Sequence, residues 1–293
     1  MKRLASPNIS FNDMLIKCSE GMEQVNVRKD FISVFPTFHV KEQQYKALSL
    51  AGNLQAYPKV NPLANTTLVV GHLTKKKLVN LYENNVRGKG KPARDYYDVL
   101  LVSSGERCPF CGDIGQAKNL DHFLPKAHFP EFSVMPLNLV PSCRDCNMGA
   151  KGQSYATVAG EQALHPYVDK TIFYQEQWVF AEYLDDDDGA FRFYVNCPDV
   201  WSQEDKNRAA NHFNVLDLAS RYRLEAGKHL SEVIDQKNAF TQSVLRLAPL
   251  LTHQEIKTEF INSNLMPIIQ STQFSNHWKR VMYQCLANSV TFL

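Results

Sequence analysis

Four of the seven cysteines stand as two Cys-x-x-Cys pairs, Cys108-Pro-Phe-Cys111 and Cys143-Arg-Asp-Cys146. Four thiolates at this spacing can close one tetrahedral metal site, and closing it constrains everything between them. Gly112, directly after the second thiolate, suits the tight turn of a metal knuckle. The 31 residues between Cys111 and Cys143 must leave the site and return to it, which calls for an inserted hairpin. All four ligand positions are filled by protein, so an ion held here is structural and its binding is coupled to folding. An odd cysteine count with four in metal-like pairs fits a reducing, cytoplasmic setting better than a disulfide framework. Cys18, Cys197 and Cys285 read as small buried hydrophobes.

The insertion carries the chemistry. Asn119-Leu120-Asp121-His122-Phe123-Leu124 reads as a short strand ending at Pro125. Neighbours in a strand point to opposite faces, so Asp121 and His122 reach one site only if the strand ends there. An imidazole such as His122 suits a general base at neutral pH. Asp121 offers a hard carboxylate oxygen of the kind Mg²⁺ takes. Asn147 follows Cys146 at the start of a short helix and offers an amide oxygen. Asn138 is positioned to orient the imidazole by a hydrogen bond. Lys126 and Lys151 flank this group as phosphate-holding cations. His128, between Pro125 and Pro130, falls in a loop outside the strand.

The order Cys-x-x-Cys, Asp-His, Asn-Leu, Cys-x-x-Cys-Asn, Lys resembles the HNH endonuclease family and its ββα-metal finger. The match covers 44 residues, Cys108 to Lys151. The family's histidine, asparagine and final metal-binding positions fall on His122, Asn138 and Asn147. The last is Asn rather than His, as in the endonuclease VII-like branch. The resemblance implies metal-dependent hydrolysis of phosphodiester bonds in DNA. His122 would be the base, Asp121 and Asn147 the ligands of a catalytic ion, and the four cysteines the ligands of a structural zinc. An all-oxygen pair favours Mg²⁺ or Mn²⁺ over softer metals. A weaker resemblance, carried by LPKAHFPEFSVMPLNLVPSC and the later LHPYVD, is to HNH proteins of bacterial antiphage defence loci. It implies a separate ATPase as partner.

Formal net charge is only +2, so any nucleic-acid footprint is local. Gly71 to Arg94 supplies one, with seven cations (Lys75, Lys76, Lys77, Arg87, Lys89, Lys91, Arg94) against Glu83. From it we expect Lys89, Lys91 and Arg94 to bind nucleic acid. No P-loop motif occurs, the N-terminus lacks the apolar run of a signal peptide, and no stretch is long and apolar enough for a membrane span.

Residues 8–56 read as mostly helical and 57–73 as a connection. Thr74 caps a helix reaching Val86, and another runs from about Pro92 to Leu101. Thr171–Leu184 and Phe191–Asn196 read as the strands of a hairpin, with Asp185–Gly189 as its turn. Helices follow from Trp201, with Phe240–Leu247, His253–Ile261 and Asn276–Leu286 as further ones and Pro249 closing the first of these. Single histidines on them (His212, His229, His253, His277) read as structural.

The expected architecture is α+β, in three regions. Residues 1–103 are helical with the basic segment, 104–155 form the zinc-braced nuclease module, and 156–293 hold the hairpin and helices. Two readings compete with the DNA endonuclease: a non-catalytic zinc module that binds nucleic acid or protein, and a ribonuclease using the same residues.

Overall fold

The computed structural model describes residues 1–184, 190–248, 250–271 and 274–292. It is an α+β protein, with helices and, among the described residues, three two-stranded antiparallel sheets. The chain divides into two compact units, one of Lys2–Lys170 with Gln203–His212, the other of Thr171–Ser202 and Phe213–Leu293 with Met1. The sequence-based boundaries at 103/104 and 155/156 both run inside the first unit. No described helix is long and apolar enough to cross a membrane.

The first unit opens with α1 (Phe11–Glu20), started by a capping box in which Ser10 Oγ accepts from the Asp13 N–H at 3.0 Å. Phe11, Met14, Leu15 and Cys18 form its buried stripe at helical spacing. α2 (Val25–Ser33) and α3 (Phe35–Leu50) follow, with Pro36 in the first turn of α3. Phe38 on α3 receives the edges of Phe11 and Phe31, at centroid distances of 5.5 and 6.0 Å. The stretch expected as a bare connection contains a small hairpin, β1 (Leu68–Val70) and β2 (Leu73–Thr74), turning at Gly71. Two-residue turns after apolar pairs are legible only once a partner buries Val70 and Leu73, as here.

Thr74 then caps α4 (Lys75–Leu81), which continues as a π-helical turn over Tyr82–Val86. α5 (Arg94–Val102) packs against the central hairpin, β3 (Asn119–His122) and β4 (Leu139–Ser142). Their register pairs Asn119 with Ser142, Asp121 with Val140 and His122 with Leu139. All but Asn119 of these eight residues are buried, unusual for a two-stranded sheet and a sign that both faces are covered.

The LHPYVD segment supplies part of that cover. Tyr167 donates its hydroxyl to the Leu139 carbonyl at 3.2 Å. Asp169 pairs with the fully buried Arg208 guanidinium, whose Nη1 lies 3.0 Å from Oδ1. That buried pair, with the His212 imidazole against the Phe110 carbonyl at 3.0 Å, ties residues 203–212 into the first unit.

In the second unit, the segment expected to begin a strand at Thr171 starts as a single helical turn, α6 (Ile172–Gln175). Asn276 holds the entry to the hairpin: its Oδ1 accepts from the main-chain N–H groups of Trp178 and Val179 at 2.7 and 2.9 Å, while the Trp178 carbonyl accepts from the Asn196 N–H at 2.9 Å. β5 (Val179–Leu184) and β6 (Ala190–Val195) then pair from Val179–Val195 to Leu184–Ala190. The expected turn at Asp185–Gly189 and the helix stop at Pro249 lie outside the described residues. Beyond α7 (Gln203–Val215), α8 (Leu218–Leu247) is one 30-residue helix. The separate helix expected at Phe240–Leu247 is its last two turns, since no breaker precedes it. α9 (His253–Phe260), α10 (Met266–Ile269) and α11 (Trp278–Asn288) complete the unit. Phe193 of the hairpin meets Tyr222 of α8 edge-on at 5.5 Å.

Candidate functional site

The two knuckles meet as their spacing requires. Cys108, Cys111, Cys143 and Cys146 are all buried, and their sulfurs lie within 4.8 Å of one another. Cys111 Sγ and Cys143 Sγ are 4.0 Å apart, against roughly 3.8 Å for two sulfurs bonded to one tetrahedral ion at about 2.3 Å. Gly112 adopts φ +63, the left-handed turn expected of it. The Gly115 N–H donates to Cys111 Sγ at 3.3 Å, an outer hydrogen bond that stabilises a thiolate. A side chain at Gly115 would meet Cys143 Cβ at 2.5 Å, so only glycine lets this loop close over the sulfurs. These four residues can hold one metal ion such as zinc.

β3 ends at His122, and Asp121 and His122 consequently line the same cleft. Asn147 lines it too, delivered by the π-helical segment Asp145–Lys151 that starts beside Cys146. The cleft has a volume of about 840 Å³ and is walled by cations: Lys75, Lys76, Arg87, Lys118 and Lys126. The metal-like knuckle thus brings the strand end and the helix start together.

His122 is buried, and its Nε2 lies 2.8 Å from the Ser133 carbonyl oxygen. A carbonyl only accepts, so the proton sits on Nε2 and the lone pair on Nδ1. Burial pushes the imidazole down to about pKa 3, with Lys126 and Lys151 adding to the effect, so it is neutral at physiological pH but a weaker base than the free imidazole expected from the sequence. The Tyr82 ring meets it edge-on at 4.4 Å, and the Lys126 ammonium lies over that same ring at 4.6 Å. Lys126 also pairs with Glu83 at 2.5 Å, and Arg87 shares that carboxylate at 3.0 Å.

Asp121 is almost wholly buried, which raises its pKa against the opposing pull of Lys151. The Lys151 ammonium lies 2.9 Å from Oδ2. Its aligned hydrogen bond, however, goes to the His122 carbonyl at 2.6 Å, and Oδ2 itself accepts none. Asn147 donates Nδ2 to Asn119 Oδ1 at 2.6 Å, which leaves its own amide oxygen uncommitted. A buried carboxylate oxygen without a hydrogen bond and an amide oxygen on the same cleft form a hard donor set that fits a divalent cation.

Asn138 is fully buried and makes no hydrogen bond to His122. Its amide holds the main chain at Leu124 and Phe132 instead, so it fixes the loop whose next carbonyl, Ser133, receives the imidazole. His128 lies against Tyr155, at 4.7 Å between centroids. Lys89, Lys91 and Arg94, expected to contact nucleic acid, do not line the cleft. Lys91 reaches Glu23 at 3.4 Å and Arg94 reaches Asp98 at 2.8 Å, partners that lie outside the basic window. Lys75 is buried with its ammonium 2.6 Å from the Pro62 carbonyl, a structural duty.

Asn119, Lys118, Arg87 and Tyr82 belong to the cleft and were not singled out in the sequence for these places. Asn119 had a signal: two residues before Asp121 on a strand, it shares that residue's face.

No protein-family model matches the chain. No solved structure matches it either. It is 62% identical over 292 residues to protein ea31 of Escherichia phage lambda, spanning 100% of this chain and 99% of that protein. At that identity, over the whole length of both proteins, the chain belongs to the family of phage lambda protein ea31.

Proposed function

We propose that the chain is a metal-dependent endonuclease of the HNH type that hydrolyses phosphodiester bonds in DNA. The supporting observation is that Asp121, His122 and Asn147 line one cleft together with five cations, the buried Lys75 among them. The Ser133 carbonyl holds His122 in the tautomer with Nδ1 unprotonated, and that nitrogen takes the proton of the attacking water. Asp121 and Asn147 would hold Mg²⁺ or Mn²⁺. A bound ion of this kind supplies stabilisation of the charge that develops on the phosphodiester and its leaving oxygen. Lys76, Arg87, Lys118 and Lys126 hold the phosphate backbone, contacts that carry no base information. In this reading the four cysteines take zinc as a structural ion. A cytoplasmic defence role beside a separate ATPase is supported only by the weaker sequence resemblance.

The test is incubation of the purified chain with supercoiled DNA and with RNA, each with Mg²⁺, Mn²⁺ or EDTA. Nicking of DNA that needs a divalent ion and is lost in His122→Ala, with zinc content and melting intact, is the expected result. Undiminished nicking by His122→Ala overturns the assignment. A salt-dependent gel shift without product in every metal makes the protein a binding module instead, and cleavage of RNA alone makes it a ribonuclease.

A further inference from the structure

Resting on that reading, we propose that Lys151 is an internal counter-ion that occupies the place of the divalent cation at Asp121 and is exchanged for it. Asp121 is buried, and a carboxylate there needs a cation beside it. Lys151 provides one at 2.9 Å from Oδ2, with only 11% of its own side chain exposed. The fit is ionic rather than directional. One of the three ammonium N–H groups is aligned on the His122 carbonyl at 2.6 Å, whereas the 2.9 Å contact with Oδ2 lacks hydrogen-bond alignment. The oxygen thus keeps a coordination position that an ammonium fills by charge alone.

A divalent ion arriving at Oδ2 would stand beside the ammonium, and repulsion between the two positive charges drives the ammonium away. The backbone allows this. Lys151 ends the π-helical segment, and Gly152 follows at φ +52 and ψ −125, a conformation open to glycine alone, with no neighbouring atom within 4 Å of where a Cβ would sit. Gly152 and Gln153 line the cleft whereas Lys151 does not. Leaving Asp121 therefore carries the ammonium towards the cleft, where a phosphate is to be held. Ion binding and the arrival of a further phosphate-binding cation become a single exchange.

The probe is Mn²⁺ alone, titrated into the full chain and its variants with free Mn²⁺ read by electron paramagnetic resonance. Asp121→Asn marks the site by losing the bound ion. Lys151→Met, which keeps the stem and removes the charge, is expected to bind Mn²⁺ at least tenfold more tightly than wild type. Lys151→Arg, which keeps the charge, is expected to stay within about threefold of wild type. A second readout uses the wild-type chain only. Acetylation by a soluble active ester, mapped by mass spectrometry, is expected to be slow at Lys151 without Mn²⁺ and several-fold faster with it. It decides the matter should Lys151→Met not fold. Equal Mn²⁺ affinity in wild type and Lys151→Met, or labelling of Lys151 that Mn²⁺ leaves unchanged, overturns the exchange while leaving the nuclease reading in place. Absence of any Mn²⁺ binding sensitive to Asp121→Asn overturns both.

Discussion

Asn138 and Leu124 exchange two hydrogen bonds, the Leu124 N–H donating to Asn138 Oδ1 at 2.8 Å and Asn138 Nδ2 donating to the Leu124 carbonyl at 3.1 Å. A side-chain amide here does what a strand neighbour would do, extending the β3–β4 ladder by one rung past His122. The same amide accepts from Tyr45 at 3.0 Å and donates to the Phe132 carbonyl at 3.2 Å. All four hydrogen-bonding capacities of the amide are used in a fully buried place.

Asn138→Ala should therefore cost roughly 3 kcal/mol, because it leaves several buried main-chain groups unpaired. The Ser133 carbonyl loses its fixed place, and DNA nicking should fall along with the denaturation midpoint. A variant with wild-type stability would show that the ladder extension is dispensable.

Gly115→Ala should expel the metal from the four cysteines. The new methyl would stand 2.6 Å from Cys143 Sγ, closer than any real contact allows. We expect zinc content to drop well below one per chain and melting to fall, and we expect the same of Cys143→Ser, which removes one of the four sulfurs. Full zinc by elemental analysis in Gly115→Ala rules this account out.

Acid should loosen the first unit through His165 and His212. Burial holds both near pKa 3, and each Nδ1 accepts a main-chain N–H, from Tyr167 and Leu164 respectively. The folded values lie below the unfolded value of about 6.5, so the unfolded chain binds more protons between the two. Their contribution is present above about pH 6.5 and lost as pH falls towards 3. Each should cost about 2 kcal/mol between pH 7 and pH 5. A melting temperature flat across that range contradicts the assignment.

Lys118→Ala and Lys91→Ala should separate a cleft cation from a paired one outside the cleft. Lys118 is exposed on the cleft wall, whereas Lys91 is spent on Glu23 and the Gly21 carbonyl. Lys118→Ala should weaken DNA binding several-fold and lower the salt slope by about one. Lys91→Ala should change neither. Equal losses in both would return the footprint to the whole basic segment.

The cysteine pairs, the strand at Asn119, the cap at Thr74 and the helices of residues 11–50 were legible because each depends on local signals: ligand spacing, a capping hydroxyl, apolar period. Legibility ended where a distant group decides. Nothing near Thr171 reveals that Asn276 will claim the N–H groups of Trp178 and Val179. Charge counting over one window did not show that Lys91 and Arg94 have acidic partners, because Glu23 and Asp98 lie outside it. The cleft residues Asp121, His122 and Asn147 were found from their order, but the Ser133 carbonyl was not, since a main-chain acceptor leaves no mark in the residue letters.

The segment Asp145–Lys151 carries a sulfur ligand, a cleft amide and the ammonium paired with Asp121 within seven residues. Its length is therefore as restricted as its composition. One residue added or removed after Cys146 turns every following side chain about the helix axis, by roughly 100° for an ordinary helix. Asn147 and Lys151 would then face away from Asp121 while the cysteines still closed. Among natural variants of this family, substitutions can accumulate at Met148 and Ala150, but insertions and deletions should be missing from this stretch and tolerated in the exposed loop that begins at Gly152.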